Sequence, residues 1–477
     1  MLLAASLLAG CTVGPNYNPP VMPVPKVFSQ AEGSSALADS ELAGWWNAYH
    51  DPPLDKLIEQ ALAQNLDIEV AAARIREARA REAVAGAAGQ PQVDGTGSGA
   101  RQRISENAIP LPPGGSQQGG AFALPGSEFT TWRAGFDAAW EIDLFGRTRR
   151  SVEGARARTG AAIWDRRDSQ VTTVAEVANA YIALRTLQAR IANSESELIR
   201  QKRNEQLVAA RARGGLVTEQ DVAQQSSQSS TAASILPALR AQADSEIFAI
   251  GVLTGRTPET LIAELSPTRA IPSAPAIPAG MPSDLLRRRP DIRAAERDLA
   301  ASTADVGVAV VDLYPRFSLT AAPTLVSTAL ASLLEWGSRS FTIGAAVDWP
   351  LFDGGRKRGN IAVANARQEQ ALIAYRKAVL AALRDVETSL SRTGADRKQL
   401  ADLEVALGSA ARAEEIARTR YRGGLVNLSD VLQAQAHRIT LENQVIETKG
   451  TLARDSVALF KALGGGWPDL ATDVVEQ

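Results

Sequence analysis

Phe129-Thr130-Thr131-Trp132-Arg133-Ala134-Gly135-Phe136-Asp137-Ala138-Ala139-Trp140-Glu141 alternates apolar and polar residues with a period of two. One side carries Trp132, Ala134, Phe136, Ala138 and Trp140. The other carries Thr131, Arg133, Gly135, Asp137 and Glu141. Such alternation places the two sets on opposite faces of an extended strand. Trp132 and Trp140 share the apolar face, and eight strand residues span roughly 26 Å. That is near the height of the apolar band between the aromatic girdles of a membrane β-barrel. A soluble sandwich sheet alternates equally well, so this strand alone leaves both readings open.

A second copy lies downstream. Phe341, Ile343, Ala345, Val347 and Trp349 alternate with Ser340, Thr342, Gly344 and Asp348. Trp140 and Arg147 match Trp349 and Arg356 at an offset of 209. Arg213-Gly-Gly-Leu-Val-Thr-Glu-Gln-Asp221-Val matches Arg422-Gly-Gly-Leu-Val-Asn-Leu-Ser-Asp430-Val at the same offset. Upstream, Asp67-Ile68 matches Asp291-Ile292 and Pro91 matches Pro315 at an offset of 224. One insertion, the Pro/Gly-rich stretch around Ile109–Gly115, accounts for the change. Each half is therefore read as helix, strand, loop, strand, very long helix, Gly-Gly turn, long helix. Two further strands are expected, one from Phe317 and a Gly-rich one from Val93.

The helical stretches carry no proline from Arg147 to Arg213 or from Gly354 to Tyr421. Apolar residues recur every seven positions, as in Val177, Leu184, Ile191, Leu198 and in Leu425, Leu432, Ile439, Ile446, Ala453, Phe460. A sustained heptad predicts left-handed coiled-coil packing. Glycine reaches positive φ at helix ends, so Gly214-Gly215 and Gly423-Gly424 read as hairpin tips.

Composition narrows the class. Of 477 residues, 45% are apolar but only 5% aromatic, which suits long, closely packed helices. Lys plus Arg number 51 and Asp plus Glu 53; this balance, without a basic tract, argues against nucleic acid. No apolar run reaches the length of a spanning helix, so any membrane crossing uses strands. Four strands do not close a barrel, and an open edge in lipid leaves backbone groups unsatisfied. Membrane strands here oblige several chains to share one barrel.

The single cysteine, Cys11, follows the apolar start MLLAASLLAG. This is the small-residue pattern of a lipoprotein signal, predicting a signal peptide over 1–10, lipidation (palmitate among the acyl groups) at Cys11, and a membrane tether. Thr12, where an Asp would signal inner-membrane retention, favours the outer membrane. With no basic n-region before the apolar stretch, the true start is expected upstream of Met1.

These residues together resemble the TolC-type outer membrane factor family, in its lipoprotein (NodT-like) branch. The match covers Cys11-Thr-Val-Gly-Pro15-Asn-Tyr-Asn-Pro19, Trp45-Trp46 with Asp51-Pro52 and Leu54, Trp140-Glu-Ile-Asp-Leu-Phe-Gly-Arg147, Leu285-Leu-Arg-Arg-Arg-Pro-Asp-Ile292 and Tyr421-Arg-Gly-Gly-Leu-Val426. The resemblance implies a mixed α and β homotrimer. Four strands per chain form a twelve-stranded outer-membrane β-barrel, continued by an α-helical coiled-coil barrel with a small equatorial region. On this reading 11–90 is tether, equatorial segment and first helix; 91–141 the first strand pair; 142–255 the first hairpin, with its tip at 213–217. A linker or equatorial segment follows at 256–290, a helix at 291–314, the second strand pair at 315–349, the second hairpin at 350–463 with its tip at 421–426, and a tail at 464–477. The implied function is export of drugs and toxic compounds as a passive duct. Its partners are a periplasmic adaptor and an inner-membrane pump of the proton-driven resistance-nodulation-division (RND) type. A type I protein secretion duct is the alternative, and a soluble coiled-coil scaffold a further one.

The resemblance also implies a gate. The family's acidic ring falls six residues after the tip glycine, at Asp430, with Asp221 its first-half counterpart and Tyr421 a bonding partner. A second ring position is held by Gln433, and a basic partner position by Val426. Rings of carboxylates attract cations. Both aspartates also fit a simpler role, since acids favour helix N-termini. Gly214, Gly215, Leu216, Gly423, Gly424 and Leu425 are the candidate adaptor contacts, and Trp132, Trp140 and Trp349 the aromatic belt. His50 and His437 are isolated, so no metal and no cofactor beyond the Cys11 lipid is expected, and no nucleotide or nucleophile motif marks an enzyme. Asp353-Gly-Gly-Arg-Lys-Arg-Gly359 reads as a strand-to-helix turn.

Overall fold

The computed structural model describes residues 12–29, 39–103, 105, 128–277 and 282–467. The signal stretch, Cys11, and the insertion around 109–115 lie outside these.

The duplication is kept to the residue in the paired helices and in the first strand of each half. Helices α1 (Asp39–Ala43) and α2 (Pro52–Gln64) precede α3 (Leu66–Ala87). α3 and α8 (Pro290–Val311) have 22 residues each, and strands β1 (Gln92–Arg103) and β3 (Arg316–Ser327) have 12 each; both pairs lie 224 apart. α4 (Arg147–Arg213) and α9 (Arg356–Arg422) have 67 residues each. α5 (Glu219–Leu253) and α10 (Leu428–Ala462) have 35 each; these pairs lie 209 apart. Helices α6 (Glu259–Leu265) and α7 (Pro282–Arg288) join the halves. Strands β2 (Glu128–Ile142) and β4 (Arg339–Asp348) complete the sheet. A 67-residue helix rises roughly 100 Å.

Two compact units divide the chain. The first comprises residues 1–19, 77–159 and 298–371. It holds an antiparallel sheet in the order β1-β2-β3-β4. The Gly-rich β1, the weakest strand by composition, pairs with β2 along its whole length, from Gln92 opposite Ala139 to Arg103 opposite Glu128. Its glycines are tolerated because the partner strand supplies bulk: a Cβ on Gly99 would lie 2.5 Å from the Trp132 ring. The β2–β3 pairing skips the positions around Pro323, which has no N–H to donate. The turn before α9 is closed by Asp353, whose carboxylate accepts from the N–H groups of Gly355 (3.0 Å) and Lys357 (3.1 Å). That side chain occupies the amides a phosphate would need, in keeping with a structural turn.

The second unit comprises 20–76, 160–297 and 372–477. Its core gathers Trp45, Leu54, Ile58, Val177, Tyr181, Leu184, Ile250, Val386, Val457 and Phe460. Trp45 stacks on Phe460 with centroids 4.9 Å apart. The Tyr49 hydroxyl donates to the Ala453 carbonyl at 3.1 Å. Small residues set the helix spacing: a Cβ on Gly450 would lie 2.2 Å from Thr186 Oγ1. The heptad residues Val177 and Leu184, and Leu432, Ala453 and Phe460, are buried, as the seven-residue period requires.

Candidate functional site

The strand register fixes what each face of the sheet presents. Residues opposite one another point the same way, so Trp140, Leu319 and Ala345 share a face, as do Phe317 with Val347 and Ala321 with Ile343. Extending by twos collects Val93, Trp132, Phe136, Leu325, Phe341 and Trp349 on the same side. The opposite face carries Asp94, Thr96, Arg133, Asp137, Thr320, Thr324, Ser340 and Asp348. The four strands alternate in phase. Among the described residues, no layer of the first unit covers the apolar face: Phe341 is 76% exposed and Ile343 77%. No described helix is apolar enough to cross a membrane.

Two of the three candidate belt tryptophans are pinned alike. Trp140 Nε1 donates to the Gly89 carbonyl at 3.0 Å, and Trp349 Nε1 to the Leu313 carbonyl at 3.1 Å. The donors differ by 209 and the acceptors by 224, so one hydrogen bond carries both offsets of the duplication. An indole with a polar anchor and an apolar body suits an interface between water and lipid. Trp132, at the other end of β2, lies over Gly99.

The helix tips lie in the second unit. Gly215 and Gly424 take φ of 71° and 72°. At the first tip, the N–H groups of Gly215 and Leu216 bond the carbonyls of Ala212 and Arg211, each at 2.9 Å; at the second, Gly424 and Leu425 bond Tyr421 and Arg420, each at 3.0 Å. Both are Schellman closures. Leu216 and Leu425 are left equally bare, 76% exposed each. An unpaired leucine at each tip presents an apolar knob to solvent.

Beyond the tips the chemistry diverges. Asp221 closes a capping box: its carboxylate accepts from the Thr218 N–H (2.9 Å) and hydroxyl (2.8 Å), while the Thr218 Oγ1 accepts from the Asp221 N–H at 3.2 Å. These bonds hold the Asp221 carboxyl below the usual range. Asp430 accepts from the Asn427 N–H at 3.1 Å and is exposed, as is Gln433. Tyr421 is not joined to Asp430 within the chain, among the described residues. Its hydroxyl instead accepts from Arg211 Nη1 at 2.9 Å, with the guanidinium 5.4 Å from the ring centroid. Arg211 was missed in the sequence. Its signal is the repeated Arg-x-Arg-Gly-Gly at 211 and 420.

A buried polar chain, also missed, ties the four hairpin helices together. Gln225 on α5 donates to Gln201 Oε1 at 2.6 Å, and Gln201 donates to Glu197 Oε1 at 2.5 Å, both on α4. Gln435 on α10 donates to the same Glu197 oxygen at 2.9 Å, and Arg200 to its other oxygen at 2.8 Å. Arg438 on α10 bonds Glu414 on α9. Glu197 is 5% exposed and Gln435 1%. Beside it lies a cavity of about 350 Å³ lined by Asn193, Gln228, Thr231 and Asn443 among others. His50 and His437 stay apart, and the described residues hold no cluster of metal-ligating side chains.

Comparison with known proteins matches the chain to the outer membrane efflux protein model over residues 57–256 and 281–465. It is 34% identical over 471 residues to the pyoverdine export outer membrane protein OpmQ of Pseudomonas putida, covering 98% of this chain and 96% of OpmQ. It is 29% identical over 482 residues to nodulation protein T of Rhizobium leguminosarum bv. viciae, covering 97% and 92%. The solved outer-membrane channel OprN matches with a TM-score of 0.87 at 34% identity, covering 96% of this chain and all of OprN.

Proposed function

The chain belongs to the outer membrane efflux protein family and is an outer-membrane efflux channel subunit, and from that premise we propose how its parts make a duct. Three copies close one barrel of twelve strands. The observation that carries this is the in-phase sheet with β1 and β4 as unpaired edges. In hydrocarbon each unpaired backbone group costs several kcal/mol, so the edges of one chain are satisfied by the edges of the next. The apolar face, with Phe341 and Ile343, meets lipid. The face with Asp94, Arg133 and Asp137 lines water. The long hairpins continue the duct into the periplasm.

The channel is passive. It serves a periplasmic adaptor and an inner-membrane pump of RND type. The bare Leu216 and Leu425 with their glycine turns receive the adaptor, because exposed leucines at both tips gain by burial. Cys11 carries lipid and anchors the chain to the outer membrane. The cargo class is small molecules, in line with the pyoverdine exported by OpmQ. Copies of Asp430 around the axis filter for cations at the entrance.

The test is purification from membranes in detergent. The expected particle has the mass of a trimer, and planar bilayers show small, cation-preferring currents. A monomer that stays in solution without detergent would refute the duct. Asp430→Ala should raise conductance and weaken cation preference; unchanged currents would remove the filter and leave the duct.

A further inference from the structure

The first strand-to-helix junction holds a device that the second lacks. Arg150, on the first turn of α4, is 3% exposed. Its guanidinium donates to the carbonyls of Val13 and Gly14, each at 3.2 Å, to Asn16 Oδ1 at 2.8 Å, and to Glu153 at 2.7 Å. The Val13 N–H bonds the Phe145 carbonyl at 3.2 Å. Glycines let the segment in: a Cβ on Gly14 (φ +96°) would lie 2.6 Å from the Gly307 Cα, and one on Gly307 would lie 2.8 Å from Arg150 itself. A Cβ on Gly146 would meet Thr12 at 2.9 Å.

The duplication exposes the purpose of this arrangement. The second-half counterpart of Arg150 is Gly359, and the first-half counterpart of Gly307 is Ala83. Neither junction geometry nor helix start requires the arginine, since α9 begins without it. Arg150, Gly307 and Gly14 answer to a segment that has no second copy, the one after Cys11. A guanidinium loses little freedom on binding carbonyls in its fixed fork, and burying it without those partners would be costly. The dock lies where Phe145 packs on Tyr314 (4.8 Å) and Phe317 (6.5 Å), beside the apolar face and at the strand ends where Trp140 and Trp349 sit.

We infer that Arg150 is the positioning residue of the lipid anchor: by clamping Thr12–Asn16 on the junction it makes the acyl group on Cys11 enter the bilayer beside the sheet's own boundary residues, not from a free tether. The inference rests on the lipidation proposed above. A tether one residue long confines its lipid to the edge of the barrel, raising the local concentration of strands and bilayer for each other.

The test uses the full-length chain and separates this role from a structural one. Arg150→Ala removes the clamp. Gly14→Val expels the segment and leaves the arginine. A third variant inserts Thr-Gly-Ser-Gly-Ser-Gly between Cys11 and Thr12, keeping a threonine after the cysteine and the clamp intact while freeing the anchor. The readouts are mass spectrometry of Cys11 and the fraction of chain assembled as oligomer in the outer membrane. All three variants should lower that fraction about threefold or more, and Arg150→Ala should add little to the spacer. A silent spacer beside a defective Arg150→Ala would overturn the inference and leave a structural clamp. Three silent variants with lipidated Cys11 would overturn it also. An unmodified Cys11 would overturn the anchor reading itself, and this inference with it.

Discussion

The two hairpins are copies in backbone and differ in what binds them. Both have arms of 67 and 35 residues, both turn on a glycine near φ +70°, and both leave one leucine bare. Yet the buried polar chain around Glu197 draws on positions where the copies disagree. Counting 209 along, Glu197 corresponds to Ala406, Gln201 to Ala410 and Gln225 to Ala434, while Gln435 and Arg438 correspond to Ser226 and Ser229. Duplication supplied two equal rods. The joint between them arose from residues that only one copy holds. Symmetric positions therefore govern shape, and asymmetric ones govern how the rods hold each other.

The largest expected effect lies in that joint. Glu197→Ala leaves the buried Gln201 and Gln435 without their shared acceptor and the partly exposed Arg200 without its carboxylate, and buried polar groups left without a partner cost about 1–3 kcal/mol each. Chemical unfolding in detergent should register it. A loss below about 0.5 kcal/mol, the level of an ordinary surface change, would show that the joint is held by apolar packing instead. The backbone copies should behave as a pair: Gly215→Ala and Gly424→Ala each force a Cβ into the left-handed region, at about 1–2 kcal/mol. Unequal losses would break the claim that the two turns are equivalent.

The strands and the tips were legible in the sequence because each is local, and the duplication because local motifs recur in the same order. A period of two, a period of seven and a Gly-Gly pair declare themselves within a few residues. The Asp353 turn was legible for the same reason. The Arg150 clamp joins residues 134 to 137 apart in sequence, the Glu197–Gln435 bond spans 238, and the Arg211–Tyr421 bond 210. No local pattern reports pairs that distant. The resemblance pointed to a partner for Tyr421 among carboxylates, and within the chain the partner is a cation. The usable signal was negative: Arg150 opposite Gly359, and Glu197 opposite Ala406, mark where one copy was put to a use the other lacks.

The aspartates at the tips separate the copies by a smaller margin. Asp221 accepts two hydrogen bonds from Thr218, whereas Asp430 accepts one from Asn427. Asp221→Asn should lower the melting temperature more than Asp430→Asn, because it removes more of a cap. Conductance should respond in the opposite order, since Asp221 is committed to its helix. If the first variant changes current as much as the second, the division of labour fails.

The smallest effect is a matter of pH. Asp396 on α9 stands where the first copy has Leu187, and faces Asp455, whose counterpart is Glu246. Burial, then the hydrogen bond and charge of Asp455, push the Asp396 carboxyl up to about 6, with Arg392 pulling the other way. A carboxyl that binds its proton more tightly in the folded chain favours folding as pH falls. At pH 7 the charged pair therefore opposes folding, and the opposition fades as pH drops through 6 toward the ordinary aspartate range. Asp396→Leu writes the first copy's residue into the second and removes the titration. The variant should gain stability over the parent at pH 7.5, and the gain should shrink by pH 5. Asp396 is partly open to solvent, so screening keeps the change small. A gain equal at both pH values would assign it to the added apolar contact and leave the carboxylate pair without a role in stability.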